Sequence, residues 1–141
     1  MQSLDLAKQL IAQQSITPND AACQQIIAKL LADAGFVIEE HHFGAVKNIW
    51  TYHGDDAPTL MLLGHTDVVP VGNKDAWQSD PFTPTEKNGF LYGRGASDMK
   101  VAVAAMVVAA IEFVTQHPQH KGKLGILMTS DEEGDAIDGT Q

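Results

Sequence analysis

The chain has 141 residues, 44% of them hydrophobic and 19% charged, and its 9 basic against 18 acidic side chains leave a net charge of −9. That length suits one domain with a sizeable core, and the acidity argues against nucleic acid or anionic lipid as partners, because both are held through Lys and Arg. The single cysteine, Cys23, excludes an internal disulfide and fits a reducing cytoplasm. The first residues lack the basic start and apolar run of a signal peptide, and the longest apolar stretch, Val101–Ile111, falls well short of the ~20 residues of a membrane span.

In chain order, Leu4–Gln14 reads as a short helix. Thr17-Pro18 pairs an N-cap residue with a proline suited to a first helical position. Ala22, Cys23, Ile26, Ile27, Leu30, Leu31 and Ala34 then form one apolar stripe, and Gly35 ends the helix. Cys23 on that stripe is expected to be a core residue. Phe36–Phe43 and Asn48–His53 are strand-like runs about Gly44, a hairpin or neighbouring strands. Thr59–Leu63 is continuously apolar, which predicts a central strand buried on both faces. Lys87-Asn88-Gly89 marks a turn between Thr85-Glu86 and Phe90-Leu91-Tyr92. Met99 to Thr115 is a helix of Ala, Val and Met, apolar nearly all round and so expected to be deeply buried. Lys123–Ser130 is a further strand. The alternation predicts an α/β domain, its sheet mostly parallel or mixed and flanked by helices.

In such sheets ligands gather at the carboxyl ends of the strands. Here one predicted strand runs into Gly64-His65-Thr66-Asp67 and another into Asp131-Glu132-Glu133-Gly134, while Gly93-Arg94-Gly95-Ala96-Ser97-Asp98 leads into the apolar helix. A histidine with several carboxylates is a ligand set for a borderline divalent ion such as zinc. Taken singly, His65 reads equally as a loop histidine, Asp67 as a turn residue, Asp98 as an N-cap and Asp131-Glu132-Glu133 as a solvated charge run. Their shared placement at element ends favours a site. His41, His42, His53, His117 and His120 carry no such local signal. No G-x-S-x-G or G-x-x-x-x-G-K-[ST] occurs, and Gly93-Arg94-Gly95 fails as a dinucleotide loop because Asp98 stands where its last glycine belongs.

Three runs carry a family likeness. Gly64-His65-Thr66-Asp67-Val68-Val69-Pro70, Tyr92-Gly93-Arg94-Gly95-Ala96-Ser97-Asp98-Met99-Lys100 and Thr129-Ser130-Asp131-Glu132-Glu133 resemble the zinc aminoacylase and desuccinylase superfamily, which includes acetylornithine deacetylases and dipeptidases. The resemblance extends over essentially the whole chain, Trp77-Gln78-Ser79-Asp80-Pro81-Phe82 included. It implies a di-zinc aminopeptidase-like catalytic domain that hydrolyses the amide of a small N-acyl amino acid. The expected substrate is N-succinyl-LL-2,6-diaminopimelate, with a sister deacylase reaction, or a non-catalytic module completed by another chain, as the alternatives.

The same resemblance implies residue roles. His65 would bind one metal ion, Asp98 would bridge two, and Glu133 would bind the second. Glu132 would be the general base that takes a proton from the attacking water, and Asp67 would accept the other ring N–H of His65 and fix its tautomer. The ions would be zinc, with cobalt possible. A homodimer and a cytoplasmic location are also implied. In the superfamily a further acidic ligand, a distant histidine ligand and a dimerisation domain follow the Glu-Glu pair. Residues 1–141 are therefore expected to form the N-terminal part of the catalytic domain. Each ion would keep two protein ligands where catalytic zinc usually has three, so the isolated chain is expected to bind zinc weakly and to be inactive.

Overall fold

The computed structural model describes residues 2–139. Helix α1 (Ser3–Ile11) buries Leu6, Ala7, Leu10 and Ile11 along one stripe. Helix α2 (Cys23–Asp33) buries Cys23, Gln24, Ile27 and Leu31, and Gly35 beyond it takes a φ of 92°, which lets the chain turn back into the sheet. The helix expected from Pro18 thus begins at Cys23. The residues before it are engaged elsewhere, since Thr17 N–H donates to the Val68 carbonyl (3.0 Å) and Val68 N–H to the Ser15 carbonyl (2.8 Å). The first-turn amide of Gln24 is met by the Asp20 carboxylate at 3.1 Å, not by Thr17.

Strands β1 (Val37–Phe43) and β2 (Val46–His53) form the expected antiparallel hairpin. Strand β3 (Thr59–His65) and strand β6 (Lys123–Thr129) complete a sheet of order β1-β2-β6-β3. Only β3 and β6 run parallel, so of the two expected arrangements, mostly parallel or mixed, the sheet is the mixed one. The central position is also corrected. β3 lies at the edge, with Leu60 61%, Met61 50% and Leu63 49% exposed, while β6 is flanked on both sides. An apolar run reports that a strand tolerates burial on both faces; it carries no information about which neighbours are present.

Strands β4 (Thr85–Lys87) and β5 (Phe90–Tyr92) make a separate small hairpin whose turn residues, Asn88 and Gly89, both have positive φ. An ion pair between Lys8 and Glu86 ties it to α1.

Helix α3 (Val101–Gln116) connects β3 to β6 through the small hairpin. It buries Val103, Ala104, Val107, Ala110 and Val114 but leaves Val101 and Phe113 exposed, so its all-round apolarity does not translate into all-round burial. One cluster holds the three helices to the sheet, with Leu6, Leu10, Ile27, Leu31, Val103 and Val107 against Ile49, Ile126 and Met128. Among the described residues no helix is long and apolar enough to cross a membrane.

On β6, Gly125 lies directly under the Trp50 ring, and a Cβ built there collides with the indole. The close approach requires glycine. Gly125→Ala is therefore expected to destabilise the fold by about 1–3 kcal/mol through overpacking. Chemical denaturation followed by tryptophan emission measures it, and an unchanged midpoint would show that the ring swings aside without cost.

Candidate metal centre

The parallel pairing of β3 and β6 puts His65 opposite Thr129, so both strands end at the same level. Thr66 N–H donates to the Thr129 carbonyl at 2.9 Å and keeps the two chains together as they leave the sheet. Asp67 on one exit and Asp131-Glu132-Glu133 on the other are neighbours as a result. The Asp67 carboxylate, wholly buried, accepts the backbone N–H groups of Glu132 (3.3 Å) and Glu133 (3.1 Å). Burial works against its charge, but the hydrogen bonds it accepts outweigh that and hold its carboxyl below the usual range.

The third segment enters at the start of α3. Asp98 is extended (φ −129°, ψ 102°) and Met99 non-helical (φ −130°, ψ 30°), which is why α3 begins at Val101 and not at Met99. This break turns the Asp98 side chain toward the strand ends, with Oδ1 at 3.2 Å from His65 Nε2. Glu132 Oε2 lies 3.7 Å from the same nitrogen. Ligand-capable atoms of His65, Glu132 and Glu133 all fall within 4.8 Å of one another.

His65 is 5% exposed, and its other nitrogen, Nδ1, sits 3.0 Å from the Asp67 backbone carbonyl and 3.6 Å from the Asp67 carboxylate. The ring N–H therefore donates to the carbonyl. Asp67 does orient the imidazole, but through its main chain, and its carboxylate is spent on the Glu132 and Glu133 amides. Fixing Nδ1 as the donor aims Nε2 into the acidic cluster. Burial opposes protonation of the ring, yet its contacts with the Asp67 carboxylate and carbonyl, and after them the Asp67 and Glu132 charges, prevail and push its pKa up to about 9. Glu133 also titrates above the usual carboxyl range. Burial first, and then the Asp98 charge, raise its pKa.

All five residues singled out in the sequence, His65, Asp67, Asp98, Glu132 and Glu133, are brought together. The residues behind them were not anticipated. Ser15 donates its hydroxyl to the Thr66 carbonyl (2.7 Å), and Thr66 donates its own to Asp20 (2.5 Å), clamping the peptide between His65 and Asp67. An Asp shortly before an apolar stripe is a helix-start signal that would have found Asp20; nothing local marks Ser15. The remaining histidines lie elsewhere. His41 and His42 are exposed on β1, and His53 pairs with His120 at 2.8 Å.

Residues 61–141 match peptidase family M20/M25/M40, and the chain belongs to that family. It is 59% identical over 138 residues to the succinyl-diaminopimelate desuccinylase of Xylella fastidiosa (strain M23), a match covering 98% of this chain and 37% of that protein. It is 56% identical over 140 residues to the desuccinylase of Coxiella burnetii (strain RSA 493 / Nine Mile phase I), covering 99% and 37%. The chain thus spans a little over a third of the length of these relatives. Among solved structures it is similar in fold to human carnosine dipeptidase 1 (TM-score 0.82, 24% identity, 96% of this chain and 33% of that one). It is also similar to a metallo-carboxypeptidase from Sulfolobus solfataricus (TM-score 0.79, 21% identity, 98% and 32%).

Proposed function

We propose that this chain forms the N-terminal part of the catalytic domain of a metal-dependent amidohydrolase that releases succinate from N-succinyl-LL-2,6-diaminopimelate. The observation that carries the chemistry is the convergence of the His65 imidazole with the Asp98, Glu132 and Glu133 carboxylates from three chain segments. The substrate rests on the names of relatives 56–59% identical to the chain.

The donor set fits a divalent ion. Burial and, after it, the neighbouring Asp98 charge raise the pKa of Glu133, and a cation among these carboxylates would offset both. One nitrogen and several carboxylate oxygens suit zinc, with cobalt able to take its place. We assign His65, Asp98 and Glu133 as the residues that would hold the metal, and the further ligands to segments beyond this third of the relatives' length. When bound, the ions polarise the scissile carbonyl and acidify water.

The protein's own groups do the rest. Glu132, half exposed and beside the donors, takes the proton of the attacking water and delivers it to the leaving amine. Asp67 holds the Glu132 and Glu133 backbone still through two amide hydrogen bonds, so that one side chain can ligate while its neighbour moves a proton.

The test joins this chain to the remaining two-thirds of the Xylella relative and assays the product with zinc. Release of succinate from N-succinyl-LL-2,6-diaminopimelate, with N-acetylornithine left intact, is expected. Preference for the acetyl substrate would move the assignment to a sister deacylase. Metal binding without hydrolysis of either would overturn the proposal.

A further inference from the structure

Behind the donors lies a buried cation that none of the roles above uses. Lys100 is 1% exposed, and its ammonium donates to the carbonyls of Leu10 (2.8 Å) and Gln13 (2.9 Å) at the C-terminal end of α1. The position suits a cation, because helix C-termini present unpaired carbonyls and the negative end of the dipole. It is nonetheless an expensive way to cap a surface helix, since the ammonium loses all of its water. Asp20 and Asp67 act on it through their charges and partly offset that loss.

The location of Lys100 in the chain gives the arrangement a purpose. Lys100 follows Asp98 by two positions, and its backbone N–H donates to the Gly95 carbonyl at 2.8 Å. The short loop that carries Asp98 is therefore closed at its base by one hydrogen bond and pinned beyond it by the side chain of the same residue. Gly95 has a φ of 79°, and a Cβ there would press on the Lys100 stem and on Val68, so glycine at this position leaves room for the lysine. Within the loop, Asp98 and Met99 are the residues that leave helical geometry. The Asp98 side chain itself is 75% exposed and reaches the His65 ring at 3.2 Å. Its direction is set by the backbone and not by packing.

We propose that Lys100 is a positioning residue, whose anchorage on the end of α1 holds the Asp98 carboxylate at the His65 imidazole. The proposal rests on the metal-site reading above and adds to it a residue that touches no ligand.

The experiment is a double-substitution cycle on this chain joined to the remaining two-thirds of the Xylella relative, with Co²⁺ as the probe. Affinity is read by titration calorimetry and coordination by visible absorption, and far-ultraviolet dichroism is recorded on the same samples. Lys100→Met, which fills the space without the charge, is expected to keep the dichroism, weaken Co²⁺ at least ~10-fold and alter the absorption band. Combined with Asp98→Asn it is expected to add nothing to the loss from Asp98→Asn alone, because both act through one carboxylate. Unchanged affinity in folded Lys100→Met, or losses that add, would overturn the proposal. Should Lys100→Met not fold, Lys100→Gln, which retains a donor, takes its place in the cycle. If neither folds, the lysine is a stability element and the proposal falls. No Co²⁺ binding by the unsubstituted joined enzyme would instead bring down the metal-site reading beneath it.

Discussion

Metal affinity is expected to rise by about tenfold per pH unit from near pH 6.5 up to about pH 9, while the metal-free chain loses stability over the same range. Both trends come from His65, whose pKa is pushed up to about 9 by its contacts with the Asp67 carboxylate and carbonyl, and after them the Asp67 and Glu132 charges, against the opposing effect of burial. A metal must displace the proton from Nε2, so below about 9 proton and metal compete for one lone pair. The stability trend has the opposite sign. A histidine whose folded pKa lies above its unfolded value of 6.5 contributes stability fully below 6.5 and loses it as pH rises through the folded value. The amount at stake is up to about 3 kcal/mol. His65→Gln is expected to flatten the metal-free melting profile and to remove the proton release seen calorimetrically in buffers of different ionisation enthalpy. Metal binding that is independent of pH across this range would refute the assignment of His65 as a ligand.

Glu132→Gln is expected to lower kcat by roughly 10²–10⁴-fold in the joined enzyme while leaving metal content intact. The substitution keeps size and hydrogen-bonding reach but removes the ability to hold a proton in transit. Glu133→Gln is the contrast, since it should release metal and lower activity for that reason. Both glutamates are held by Asp67 through their amides and bring their carboxylates to the same His65 ring, so the pair of substitutions separates the proton carrier from the ligand. Equal metal loss in both variants, measured by elemental analysis after dialysis, would mean that Glu132 is a ligand too and that the base must be sought elsewhere.

The convergence of His65, Asp98 and Glu133 was legible because each stands beside an apolar run, and hydrophobic patterning locates such runs. The hairpin about Gly44 was legible for the same reason. Three features were not. The edge position of β3 depends on neighbours that a run of apolar residues does not name. The start of α2 depends on Thr17 being claimed by Val68 and on Asp20 capping Gln24, one contact long-range and the other a choice between two capable residues. The handling of the His65 ring depends on a competition for the Asp67 carboxylate that the two glutamate amides win. In each case the deciding interaction joins distant parts of the chain, and local propensity is blind to it.

The three donor segments belong to a single crossover, β3 followed by α3 followed by β6. Gathering them is the closure of one loop, and the entropy of closing a loop grows only with the logarithm of its length. The stretch from Val69 to Tyr92, between His65 and Asp98, can therefore be lengthened or redecorated at little cost to the meeting of the donors, provided the strand register and the Asp98–Lys100 anchorage persist. A lineage that needed a new substrate could rebuild that excursion freely while inheriting the chemistry unchanged.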